Sequence, residues 1–155
     1  MQNQVYINNP VFRVGQVTRG NPAIKLPRIV EGSDVKIGSF VFEGTEKGQQ
    51  VTGKDASATS VAGLILFERY QVAKNGFDDS HKLEIIEGSE VATYQTGFGA
   101  VISSTASTYR QKVGVNPTTG EIETFDATPS TGFIDTGWLV ETPAGANEPC
   151  EIFKI

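Results

Sequence analysis

The chain contains an imidazole, a thiol, hydroxyls and carboxylates, so the first question is whether their spacing could bring them together as a reactive set. The single histidine, His81, ends the stretch Asn75-Gly76-Phe77-Asp78-Asp79-Ser80-His81. Acid, hydroxyl and imidazole are adjacent in sequence, which gives no reason for the relay geometry of a Ser-His-Asp triad. A solvated loop is expected instead. Asp78-Asp79 could touch a hard cation, but the spaced oxygen ligands of a calcium loop are missing. No metal site and no cofactor are therefore expected. Cys150 has no cysteine to pair with and alternates with Ile152 in a terminal apolar run. A buried structural thiol fits that pattern better than a nucleophile. Trp138 shares strand parity with Ile134 and Val140, which reads as a core aromatic; exposed, it would be a platform for a carbohydrate or a partner.

The remaining chemical candidate is Gly97-Phe98-Gly99, inside Thr96-Gly97-Phe98-Gly99-Ala100-Val101. A phosphate-binding Walker loop needs longer glycine spacing, a following Lys and Ser or Thr, and a helix opening behind it. Ala100-Val101-Ile102 opens nothing of the kind. The dUTPases carry Gly-Phe-Gly in a C-terminal motif, but here fifty-three residues follow Ile102 and that family's acidic and arginine-serine motifs are absent. The stretch reads as a strand. Parity places Tyr94, Phe98 and Ile102 on one face and Gly97 and Gly99 on the other. Bare positions of that kind serve a bend, a bulge or a close backbone approach.

Other elements would have to position any site. Short apolar runs predict strands over 35–42, 61–68, 83–86, 90–102, 111–115, 121–125, 133–142 and 150–155. Turn signals separate them, among them Asn75-Gly76, Asn116 to Gly120 and Pro143-Ala144-Gly145. Helical spacing is hard to find; Glu68 to Lys74 offers two turns at most. The fold expected is all-β, a compact jelly-roll-like barrel or sandwich with an extended N-terminal arm. Residues 1–30 are the arm and 31–155 the single β domain. Asn9-Pro10, Asn21-Pro22 and Leu26-Pro27 argue against a helix in the arm.

Charge divides along the same line. The first thirty residues carry Arg13, Arg19, Lys25 and Arg28 and no acid, so a net charge of -5 leaves -9 on the rest. These cations are spread out on an otherwise acidic chain, which does not suit nucleic acid. They suit an acidic protein surface. Apolar residues stud the arm as well, so Tyr6, Ile7, Val11 and Phe12 are expected to be buried against a partner, with Arg13, Arg19 and Lys25 meeting its acids. No apolar run approaches the roughly 20 residues that span a bilayer, so no membrane partner is expected. Met1-Gln2-Asn3-Gln4 does not look like an export signal, and the lone cysteine suits a reducing compartment.

The ordered series Asn21-Pro22-Ala23-Ile24, Gly32 to Phe42, Val61 to Ile65, Glu87 to Val91, Thr96 to Ile102, Gln111 to Val115, Thr119 to Ile122 and Thr136 to Val140 resembles the structural cement, or decoration, proteins of tailed bacteriophages. The resemblance covers nearly the whole chain, with a long insertion-like stretch from Glu43 to Ser60 as its departure. It implies a β body without catalysis, made in the host cytoplasm and bound outside the phage head. There such a protein bridges neighbouring major capsid proteins and opposes internal DNA pressure, often as a dimer or trimer. A tail or head-fibre module is the alternative within virions. Outside them, the alternative is a small-ligand or carbohydrate-binding β-sandwich using Trp138.

Overall fold

The computed structural model describes residues 12–71 and 83–155. Nine strands and no helix occur among them: β1 (Val17–Val30), β2 (Ser39–Glu43), β3 (Gln50–Thr52), β4 (Gly63–Ile65), β5 (Glu90–Ile102), β6 (Lys112–Val115), β7 (Ile122–Phe125), β8 (Ile134–Thr142) and β9 (Pro149–Lys154). They hydrogen-bond in the order β1-β3-β2-β4-β5-β9-β8-β6-β7, and β1 also pairs with β5. That extra pairing closes the first five strands into a ring. The other four continue outward from β5. Every pairing is antiparallel except β1 with β3.

Two apolar cores follow from this closure. Inside the ring each strand contributes one aliphatic residue: Val30 from β1, Val41 from β2, Val51 from β3, Ile65 from β4 and Val91 from β5. Val35, Ile37 and Ile85 fill in from the connections. Alternate residues of the same strands, Phe40, Phe42, Leu64, Ala92 and Tyr94, point the other way. They meet Val113, Val115, Ile122, Trp138, Val140, Cys150 and Ile152 from β6 to β9. Strands β2 and β4 are thus buried on both faces, which explains why 35–42 and 61–68 read as nearly continuous apolar runs.

The expected strands over 90–102, 111–115, 121–125, 133–142 and 150–155 match β5 to β9 within a residue or so. The 83–86 run contributes only the isolated bridge Lys36↔Glu84. Two strands were not expected. β3 lies in the 43–60 stretch, and residues 17–30, read as an arm, form β1. The prolines concealed β1, and the register shows how they are tolerated. The Ile29 amide donates to the Gln49 carbonyl, on the side away from β5. Pairing with β5 is regular from Lys25 to Ile29, so the amide position of Pro27 faces that same outer edge. Pro27 therefore costs β1 no bond to β5. Among the described residues, nothing in the sheet pairs with this edge before Ile29.

The chain enters the sheet through Gly15. Its N–H donates to the Ala100 carbonyl at 2.8 Å, and its own carbonyl accepts from the Phe67 amide at 2.7 Å. With φ at 77°, a Cβ here would lie only 2.1 Å from Ile37 Cγ2, so only glycine fits. Between Arg19 and Ile24 the β1 register against β5 slips, and the extra residues form a bulge.

Candidate functional site

The bulge lies over Gly97. A Cβ on Gly97 would sit 3.3 Å from Ala23 Cβ and 3.6 Å from the Pro22 carbonyl oxygen. This is the close backbone approach that the glycines implied. The same residue has φ of 136°, and there the faces of β5 exchange. Before it, Ala92 and Tyr94 point into the second core; after it, Val101 does, and Gly99 faces the Leu66 side chain. Phe98 is consequently buried but does not share a face with Tyr94, which corrects the simple parity reading. It lies on the outer face of the sheet.

There it begins a row that crosses the sheet. Arg19 of β1 pairs with Phe98 of β5, Phe98 with Phe153 of β9, Phe153 with Leu139 of β8, Leu139 with Lys112 of β6, and Lys112 with Phe125 of β7. Directly opposed residues in a sheet project from the same face. Phe98 and Phe153 stack with ring centroids 5.5 Å apart. Cations lie over the rings: the Arg19 guanidinium 4.8 Å from the Phe98 centroid, Arg110 4.5 Å from that of Phe153, and Lys112 6.0 Å from that of Phe125. Among the described residues, the three phenylalanines are buried under these charged side chains rather than under another layer of structure.

Carboxylates hold the cations in place. Glu151, 2% exposed, accepts from Arg19 Nε at 3.0 Å and Nη2 at 3.1 Å, from Thr18 Oγ1 at 2.6 Å and from Thr142 Oγ1 at 2.8 Å. Burial alone would raise its pKa. The hydrogen bonds from Thr18, Thr142 and Arg19, with the Arg19 charge, outweigh burial and hold it below its ordinary value. Glu141 lies 3.7 Å from both Arg19 and Arg110, and Asp135 3.8 Å from Lys112. A parallel latch sits further along β1. Lys25 Nζ donates to Glu68 Oε1 at 2.7 Å and lies over the Tyr94 ring, while the Tyr94 hydroxyl donates to the same oxygen. Burial opposes ionisation of Glu68 too, and these contacts again win, keeping its pKa low.

Of the residues singled out from the sequence, Tyr6, Ile7 and Val11 lie outside the described residues, as do Asp78, Asp79 and His81. Phe12 is half-buried and Arg13 exposed, with no ion pair from Arg13 among the described residues. Arg19 and Lys25 are brought to the outer surface but bind carboxylates of their own chain, and Arg28 likewise reaches Glu43. Trp138 is 1% exposed and packs edge-on against Phe40 at 6.2 Å. It cannot offer a ring face to a sugar, so the ligand-platform alternative loses its anchor. Cys150 is buried, with its pKa raised to about 11 by desolvation, the wrong direction for a nucleophile.

Sequence reasoning missed Glu151, Phe153, Arg110 and Lys112. The alternation of 150–155 could have set Glu151 and Phe153 opposite Cys150 and Ile152. Which strands lie beside them was not readable. A separate cleft of 250 Å³, bounded by Asp34, Lys36, Ser104, Glu121 and Asn147 among others, contains no histidine or cysteine.

Comparison with known proteins places this arrangement. No curated protein matches the chain. Among solved structures, a chain from "The capsid of Myoviridae Phage XM1" has the same fold at a TM-score of 0.67 and 17% identity, covering 99% of this chain and 96% of that one. A family model described as "Structural cement protein (E217 gp24/Pam3 gp6)" matches residues 1–153. The closed β ring, its outward sheet and the ordered motifs along the chain are therefore those of a bacteriophage structural cement protein, the family to which this chain belongs.

Proposed function

We propose that the protein attaches to the outer surface of an assembled phage head, bridges neighbouring major capsid proteins and stabilises the shell against internal DNA pressure. It does so as a homo-oligomer, a dimer or trimer on a local symmetry axis, and without catalysis. Its contact element comprises residues 1–30, with Tyr6, Ile7, Val11 and Phe12 for burial and Arg13, Arg19 and Lys25 for acids of the shell. The observation that carries this reading is the surface of β1. Ile24, Leu26 and Ile29 are exposed on a strand that no other layer covers among the described residues, and clustered apolar residues at the surface mark a contact surface. Binding to the assembled shell adds interface free energy that disassembly must overcome. A site that engages two subunits gains avidity over either contact alone.

The test is cosedimentation with shells of the matching phage assembled without this protein. Deleting residues 1–30 would also remove Val30 and the closing strand, so it cannot serve. Deletion of residues 1–11 and the double substitution Ile24→Ser/Leu26→Ser are the informative variants. Each is expected to keep the parent's thermal midpoint within a few degrees and to bind shells at least tenfold more weakly. Decorated shells should also survive heating that opens bare ones. If the parent does not sediment with shells, or if bare and decorated shells open together, the reading is wrong. If both variants bind as the parent does, the contact element lies elsewhere.

A further inference from the structure

We infer that the outer face of strands β5, β9, β8 and β6, with the turn at Tyr109-Arg110, is a second contact surface, and that it fits an acidic segment of a shell subunit. The inference rests on the capsid-binding reading and adds a surface distinct from the exposed apolar residues of β1. Its basis is which charges reach solvent. Arg19, Arg110 and Lys112 are 49%, 48% and 45% exposed as side chains, whereas their partners Glu151 and Glu141 are 2% and 20% exposed. Asp135, at 43%, is the one partner that stands as high as its cation. An acidic protein of net charge -5 therefore presents cations here and recesses acids beneath them.

Recessed carboxylates do two things. They hold the guanidinium groups over Phe98 and Phe153, and they leave N–H groups of each fork for a second acceptor. Tyr109 stands beside them, 59% exposed, with Arg110 over its ring at 4.9 Å. The turn carrying both is fixed. Arg110 has φ of 67° and its amide donates to the Val140 carbonyl, while the Thr108 amide donates to Gln111 Oε1. A rigid, half-exposed cluster of Tyr and Arg is the residue class that carries binding energy at protein interfaces. A polyphosphate fits less well, because Glu141 and Asp135 interrupt the cations along the row. A protein surface with spaced carboxylates can meet each cation separately.

The experiment uses the intact protein and shells of the matching phage assembled without it. The parent is compared with Tyr109→Ser/Lys112→Gln and, separately, Arg110→Gln, after circular dichroism confirms the fold of each. Either variant should bind about tenfold more weakly. Carbodiimide treatment of the parent complex should join Lys112 to a shell carboxylate, found by mass spectrometry. Parental binding by both folded variants, or Lys112 joined only to carboxylates of its own chain, overturns the inference while leaving the capsid reading intact. Failure of the parent to bind shells overturns the capsid reading itself. Equal binding of the parent to shells and to short duplex DNA at the same salt would make this face a polyanion site and also overturn the inference. Should Arg110→Gln fail to fold, the Tyr109→Ser/Lys112→Gln pair and the cross-link still decide.

Discussion

The interior of the five-strand ring and the outer aromatic row keep apolar side chains from water by opposite means. Inside the ring, Val30, Val41, Val51, Ile65 and Val91 are enclosed by the strands that carry them. Nothing there can move aside without opening the ring. On the outer row, Phe98, Phe153 and Phe125 are covered by Arg19, Arg110 and Lys112, side chains that are themselves half in water. Arg110 and Lys112 can leave their rings at small cost, exchanging one set of favourable contacts for another, whereas Arg19 stays tied to the buried Glu151. Enclosure by backbone gives permanence, and enclosure by cations gives a surface that is dry at rest yet open to exchange with a partner.

Four substitutions would break or sharpen that contrast. Trp138→Ala should have the largest effect, destabilising the protein by about 3–5 kcal/mol in denaturant unfolding, because Trp138 sits in the enclosed second core. Phe98→Ala should cost about 3 kcal/mol at most, since the gap it leaves opens toward solvent beneath a half-exposed Arg19 instead of forming an enclosed cavity. Equal losses for the two would mean that the cation-covered face is as sealed as the core, and the contrast would fall.

Glu151→Gln comes third, at about 1–2 kcal/mol at neutral pH, because it weakens charge-assisted bonds to a half-exposed arginine. Its pH dependence has a definite sign. The folded-state pKa of Glu151 lies below the unfolded value of 4.5. The stability it contributes is therefore full above that value and is lost as pH falls below it through the folded pKa. The variant should lose less stability than the parent across that acid window. A variant with the same acid profile as the parent would show that Glu151 does not latch β1. Pro27→Val should have the smallest effect on stability, about 0.5 kcal/mol or less, because only an outward N–H is restored. Self-association, read by light scattering against concentration, should nevertheless rise. An unchanged particle size would show that this edge is protected by something other than its proline.

Alternation made β8 legible, since Trp138 and Val140 set one face against the second core. β5 was legible as a long strand-forming run whose Val91 and Tyr94 serve different cores. β1 was hidden because a proline in a strand is read as a break, and only the register shows that the missing donor of Pro27 points away from β5. Phe98 was expected on the face of Tyr94, and it is buried on the other one. Parity assumes an unbroken pleat, and Gly97 breaks it with a backbone conformation that its type permits without announcing. The aromatic row was least legible of all. Its members come from six strands, and which residues oppose one another across strands depends on connections that a single chain's pattern does not encode. The cations told a similar story. Their concentration in the first thirty residues suggested an external acidic surface, yet Arg19, Lys25 and Arg28 all find carboxylates within their own chain.

The closing strand also has a history in time. β1 is synthesised first, yet its longest pairing is with β5, whose first residue, Glu90, follows Val30 by about sixty positions. At roughly 5–20 residues per second, the ribosome takes about 3–12 s to cover that distance. For those seconds the edge of a nascent β1 that will receive β5 is bare, and β3 can cover the other edge only at Ile29 and Val30, with neighbouring ribosomes on the same message holding identical strands close by. Pro22 and Pro27 make each copy a poor template for the next. The strand that waits is blunted along its outer edge while the edge meant for β5 keeps its donors.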